Sequence, residues 1–155
     1  MLHPEDAEQK ALIHWARLMP LKGDGVAFHA TIGDYLIAYP NGGKRLYTEA
    51  ARLHGLGVKK GVVDLLFPLS RLGYHGLWIE MKKPLAAFRS SSAARDAVTS
   101  EQRCWMVRMR QAAYAATACY GWDAARVLIE AYVQEGDDFV ALYEHFWTLL
   151  DKSGQ

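Results

Sequence analysis

Asp64, Glu80 and Lys82 are the residues whose types and spacing could do chemistry. Glu80-Met81-Lys82 ends an apolar run that begins at Leu77. On a strand, side chains two apart share a face and lie about 6.7 Å from each other. The Glu80 carboxylate and Lys82 ammonium are thus predicted to point the same way. Glu8-Gln9-Lys10 repeats the acidic-x-Lys spacing, but on a helix residues two apart look to different sides and cannot converge. Asp64 interrupts the apolar run Val62 to Phe67. A carboxylate in a buried strand costs on the order of several kcal/mol unless it is paired or holds a metal. If this strand pairs with Leu77–Met81, Asp64 comes within about 4.8 Å of Glu80. Two carboxylates that close repel, and one takes up a proton unless a hard divalent cation accepts both. Lys82 could then orient water or stabilise developing negative charge, which is what metal-assisted phosphodiester hydrolysis needs. The competing reading is a buried Asp64–Lys82 ion pair with Glu80 left in solvent.

The elements that must position these groups follow from the pattern. Pro4 with Glu5, Asp6 and Glu8 suits the first turn of a helix, and Leu12, Ile13, Ala16 and Met19 continue it at helical spacing to residue 19. Pro20 to Gly25 breaks it, and a short apolar stretch, Tyr35 to Tyr39, runs into the tight turn Pro40-Asn41-Gly42-Gly43. Leu46 to His54 is predicted helical, with Gly55 and Gly57 ending it. Val62–Phe67 and Leu77–Met81 are predicted antiparallel strands. Residues 84–98 show no periodicity and read as a long loop, functional or mobile. Thr99 and Gln102 form a capping box for a helix reaching about Ala116. A strand near Ala116–Tyr120 and helices over Asp123–Tyr132 and Asp137–Leu150 complete an α/β arrangement.

Half of the 155 residues (51%) are hydrophobic, which supports one packed domain over 1–155 and excludes a disordered chain. No apolar run reaches the roughly 18 residues of a membrane span, and Met1 to Asp6 lacks a signal-peptide pattern. Cys104 and Cys119 have no metal-ligand spacing, so a cytoplasmic protein with reduced thiols and no membrane partner is expected. The net charge of +1 conceals a division: residues 1–110 carry 16 Lys+Arg against 10 Asp+Glu, residues 111–155 only 2 against 7. A nearly neutral chain can still offer a polyanion one basic face. Asn41, Gly42, Gly43, Lys44 and Arg45 place exposed N–H groups, an amide and two cations on one turn suited to phosphate. Arg52, Lys59 and Lys60 extend that surface toward Asp64, and Arg89 and Arg95 in the 84–98 loop could close on DNA. A solvated turn and a loop with incidental charges are the plainer alternatives. His29, His54 and His75 pair with no nucleophile by motif, and the aromatic residues from Trp105 to Trp147 sit at core or dimer-contact spacings. The acidic, aromatic C-terminal helix is a candidate subunit interface.

Asp64 followed by Glu80-x-Lys82 resembles the signature of the PD-(D/E)xK nuclease superfamily, and the surroundings resemble its VRR-NUC branch in the stand-alone form typical of phages and prophages. The matching stretches are Pro40–Arg45, Ala50–Leu53, Gly57-Val58, Gly61-Val62-x-Asp64-Leu65, Gly73–Lys82, Ser100-x-Gln102 with Trp105, and Gly121-Trp122. They run in order over about residues 36–132. The resemblance implies a restriction-endonuclease-like αβββαβ core, with a mixed central sheet flanked by helices and further C-terminal helices. It implies a homodimeric endonuclease acting on structured or branched DNA, four-way junctions included, in the cytoplasm (the host's, if phage-encoded). Asp64, Glu80 and the Met81 carbonyl would hold Mg²⁺ or Mn²⁺, with Lys82 beside the attacking water and Gln102 lining the site. Glu8 matches the helix-borne glutamate that completes the metal shell, and Glu5 competes for that role. Two departures stand out: Val63 occupies the family's usual proline position, and residues 84–98 exceed the usual short connection. These departures motivate a rival reading, a non-catalytic DNA-binding or assembly module retaining the fold. A restriction-type or single-strand nuclease is a third.

Overall fold

The computed structural model describes residues 4–39 and 52–150. Helix α1 (Pro4–Leu18) opens with Glu5 and Asp6 at its positive end and buries Leu12 and Ala16. A short helix α2 (Ile32–Tyr35), absent from the sequence expectation, leads into strand β1 (Ile37–Ala38). Gly33 makes that docking feasible, because a Cβ there would come within 2.9 Å of the Arg17 backbone. Strands β2 (Leu65–Phe67), β3 (Leu77–Lys82) and β4 (Ala115–Tyr120) complete a four-stranded sheet in the order β1-β2-β3-β4. The first three strands are antiparallel neighbours, with Leu65 opposite Ile79, whereas β3 and β4 run parallel, with Glu80 beside Ala118 and Lys82 beside Tyr120. A parallel pair needs a long crossover. Here it carries a 3₁₀ turn (Leu85–Ala87), helix α3 (Ser91–Asp96) and helix α4 (Ser100–Gln111). Helices α5 (Trp122–Val133) and α6 (Phe139–Thr148) follow. The fold is therefore the expected α/β arrangement, a mixed sheet flanked by helices.

The pleat sorts the strands into two faces. Leu65, Phe67, Leu77, Ile79, Met81, Ala115 and Cys119 meet Leu12 and Ala16 of α1, Leu128 and Tyr132 of α5, and Phe139 and Tyr143 of α6. The alternate positions Trp78, Ala116, Ala118 and Tyr120 pack with Val63, Ala94, Val98 and Met106 under α3 and α4. The aromatic residues of the C-terminal helix thus serve the core. The Phe139 and Tyr143 rings stack at 5.6 Å, and the Tyr143 hydroxyl accepts the Ala116 N–H at 3.2 Å.

Three sequence expectations change. Residues 84–98 are not an irregular mobile loop. Ser90 caps α3 by accepting the Ala93 N–H at 3.1 Å, and Ala94 and Val98, four apart, are both 2% exposed. With one small and one medium apolar side chain among serines and charges, the segment's periodicity was too sparse to read. Arg103 of α4 donates to the carbonyls of Arg95 and Leu150, fastening the segment to the C-terminal helix. Arg95 therefore belongs to a fixed helix. Next, α4 ends at Gln111, where Ala113 (φ +63°) turns the chain into β4. Finally, β2 begins at Leu65 rather than Val62. Among the described residues no helix is long and apolar enough to cross a membrane.

Candidate active site

Glu80 and Lys82 lie on the α4 side of β3, only 1% and 5% exposed. Asp64 precedes β2, in the position that continues the β2–β3 register opposite Glu80. The same register would carry the Met81 N–H across to residue 63, yet that N–H donates to Asp64 Oδ2 at 2.8 Å. The carboxylate has replaced a ladder bond, which is why the strand starts late. Val63, freed from pairing, is fully buried in the α4-side core. The residue that stands in the family's proline position thus acts through packing.

Glu80 Oε1 accepts from Lys82 Nζ at 2.8 Å and from Gln102 Nε2 at 2.5 Å. Gln102 can reach it because its own Oε1 accepts the Thr99 N–H at 2.9 Å while Thr99 Oγ1 accepts the Gln102 N–H at 3.2 Å. The capping box that starts α4 therefore also fixes the orientation of a site residue. Gly61 brings the preceding loop onto the same helix end: its φ is +77°, and a Cβ there would lie 2.5 Å from the Glu101 carbonyl oxygen. Lys59 and Lys60 on this loop are exposed, and the Lys60 charge reaches Glu101. They face solvent beside the N-terminus of α4. Arg52 is also exposed, in a helical turn over 52–55. Asn41, Gly42, Gly43, Lys44 and Arg45 lie outside the described residues.

Helix α1 supplies a carboxylate, though not the one first matched. Glu5 Oε1 lies 3.7 Å from Lys82 Nζ. Glu8 turns away to accept the Trp122 N–H at 2.7 Å, capping α5. The structure brings Asp64, Glu80, Lys82, Gln102 and Glu5 together and leaves Glu8 as the tether that aims the first turn of α1. The available signal was the i, i+3 spacing of Glu5 and Glu8, which makes them neighbours on one helix face. His29, His54 and His75 stay exposed and outside the cluster.

The electrostatics follow from burial. Desolvation, opposed by the Met81 hydrogen bond and by Lys82, raises the Asp64 pKa. Glu80 is pushed up to about 8, first by burial and then by the Asp64 charge, against the pull of Lys82. Burial works against the Lys82 ammonium too, but Glu80, Glu5 and Asp64 outweigh it and its pKa is raised. Glu80 Oε2 is buried with no hydrogen-bond partner. Two carboxylates held at each other's expense, one with an orphaned oxygen, form a hard, anionic donor set that suits a small divalent cation. Among the described residues no three His, Cys, Asp or Glu side chains form a ready-made metal cage.

An α/β domain with an Asp, a Glu and a Lys gathered where β2 meets β3 is the arrangement that the nuclease resemblance implies. A solved structure named "VRR_NUC domain protein" superposes with a TM-score of 0.67 and 27% sequence identity, over 88% of this chain and 93% of that one. No protein-family model and no curated protein matches the chain. Over most of its length the chain is thus similar to a VRR-NUC domain protein.

Proposed function

We propose that the protein is a divalent-metal-dependent endodeoxyribonuclease, active as a homodimer, that hydrolyses phosphodiester bonds in structured or branched DNA. The observation that carries this reading is Glu80. It is a buried carboxylate with one oxygen locked between Lys82 and Gln102, the other without a partner, and a second carboxylate beside it. A purely structural ion pair would satisfy its acceptors. Asp64 and Glu80 would hold Mg²⁺ or Mn²⁺, with the Met81 carbonyl as a further oxygen. When bound, the cation supplies charge that neutralises the carboxylates and polarises the scissile phosphate. Lys82, protonated and nearly buried, is a fixed donor toward the attacking water and the negative charge growing on the phosphoryl oxygens. Gln102 keeps Glu80 in one rotamer, and Glu5 balances the Lys82 charge at the mouth. The exposed Lys59, Lys60 and Arg52 supply phosphate contacts, as would Asn41, Lys44 and Arg45.

Incubating the purified protein with labelled four-way, flapped and linear DNA in Mg²⁺ or Mn²⁺ tests this. Metal-dependent cuts near the branch, lost in Asp64→Ala, are the expected result. Absence of cleavage in both metals, or full cleavage by Asp64→Ala, defeats it. One observation favours the non-catalytic rival: Glu80 Oε1 is already occupied by two donors. That rival predicts DNA binding that survives EDTA, without turnover in any metal.

A further inference from the structure

An open cavity of about 380 Å³ lies between the β3–β4 crossover and the end of α6, lined by Leu85, Phe88, Ser91, Arg95, Tyr120 and Leu149 among others. Its place is set by the strands that carry the site. Tyr120 is the β4 partner of Lys82, so their Cα atoms lie about 4.8 Å apart and their side chains leave the same face of the sheet. Pro84, two residues past Lys82, packs on Gly121 and starts the wall. The Phe88 and Tyr120 rings meet edge to face at 5.9 Å, and the Tyr120 hydroxyl donates to the Ala94 carbonyl at 2.9 Å, which holds α3 in place. Lys83 Nζ stands 4.3 Å from the centre of the Phe88 ring.

The cavity therefore has aromatic walls, a serine hydroxyl and the Arg95 cation, with Lys83 on the Phe88 ring, beside the strand of a centre read as acting on phosphodiesters. Its volume falls in the range of about 300–1,000 Å³ typical of small-ligand pockets, enough for one nucleoside. A base inside a duplex is stacked on both faces and cannot enter; an unpaired base can be turned out at small cost. We propose that this cavity receives one unpaired nucleobase of the DNA strand bound at Asp64, Glu80 and Lys82, stacked against Phe88, with Lys83 and Arg95 on the adjoining phosphates. The proposal rests on the nuclease reading of that site and names its substrate class: DNA bearing an extrahelical or branch-point nucleotide.

The test measures binding by the full chain in EDTA, so that it does not depend on turnover. The probes are a duplex with one extrahelical adenine and the same duplex with an abasic residue at that position. Base–aromatic stacking is worth about 1–3 kcal/mol, so the adenine duplex should bind about tenfold more tightly. Phe88→Ala should bring the ratio near one, and Phe88→Tyr, which keeps a ring and the local packing, should restore it. Equal affinities in the wild type, or an unchanged ratio in Phe88→Ala, overturn the proposal. Cleavage of the same duplexes by the wild type in Mg²⁺ separates the two readings: a retained ratio with no cleavage defeats only the enzyme, and cleavage with a ratio of one defeats only the pocket. Failure to bind either DNA defeats both.

Discussion

The two faces of β3 are built from neighbouring residues and obey different rules. Toward α1, α5 and α6, Leu77, Ile79 and Met81 sink into hydrocarbon, and what holds that side is contact area. Toward α4, Glu80 and Lys82 are nearly as buried but are held by two short polar contacts and a conflict with Asp64. The first face can lose a methylene and relax. The second is a set of mutual debts in which each group is tolerable only while its neighbour remains. The first face is apolar throughout, whereas on the second the proposed reactive groups sit beside the apolar Trp78, a division that mutation can test.

The largest expected effect lies on the polar face. Asp64→Asn keeps an acceptor for the Met81 N–H but removes the charge opposing Glu80. Cleavage of branched DNA should fall about 10²–10³-fold, the usual loss when a preorganised electrostatic group is removed. The apoprotein should meanwhile become more resistant to urea, because Glu80 can ionise at lower cost. A variant that loses both activity and stability would contradict the idea that the carboxylates repel.

Next come two substitutions of similar cost and opposite character. Phe139→Ala on the apolar side opens a cavity and should cost about 3–5 kcal/mol at every pH. Lys82→Ala strands Glu80, which costs about 3–5 kcal/mol while the carboxylate is charged. Glu80 titrates at about 8 in the folded protein, so the Lys82→Ala penalty should shrink well below that pH. Urea midpoints at pH 6 and pH 9 separate the two, and a pH-independent Lys82→Ala penalty would show that Glu80 is not the stranded group.

The wild-type apoprotein carries the same asymmetry. Glu80 is an acid whose folded pKa, about 8, stands above its ordinary value of 4.5. Between those limits the native state binds more protons than the unfolded chain, so stability declines as pH rises through that window and levels off above it. The slope has a ceiling of about 1.4 kcal/mol per pH unit for one group. In EDTA, thermal midpoints should fall from pH 5 to 8, and Glu80→Gln should remove most of that fall. Saturating Mg²⁺ should flatten it as well, since a cation that competes with the proton stabilises the charged form.

How far this arrangement was legible depends on the scale of the signal. Asp64, Glu80 and Lys82 could be brought together from sequence because strand periodicity is short and an aspartate inside an apolar run is conspicuous. The strands followed from apolar runs and turn residues, whereas the mixed sheet came from the family resemblance. Glu5 and Glu8 could not be told apart, since both lie on one helix face and only tertiary docking decides that Glu8 caps α5. Helix α3 escaped because its burial rests on Ala94 and Val98 alone. The late start of β2 escaped as well, because it depends on a side chain displacing a backbone partner at Met81. Pattern gives the face of an element, but it does not give which of two adjacent groups another element takes.

The smallest expected effect tests the boundary between the faces. Thr99 touches neither Asp64 nor Glu80, yet its backbone N–H holds the Gln102 oxygen and its hydroxyl holds the Gln102 N–H. Thr99→Ala should cost about 1 kcal/mol, the value of an N-cap, and should loosen the amide that steadies Glu80, lowering kcat several-fold with KM for DNA little changed. Tyr143→Phe removes one buried bond, to the Ala116 N–H on the far side of the sheet, and should cost about 1 kcal/mol as well. Its kcat should match the wild type, because the Tyr143 hydroxyl bonds only the Ala116 N–H and none of the site residues. Equal kcat losses in the two variants would mean that the site responds to global stability, and that the two faces of β3 are not independent. A loss confined to Thr99→Ala would place the helix cap within the machinery that positions Glu80, through a residue that never meets the substrate.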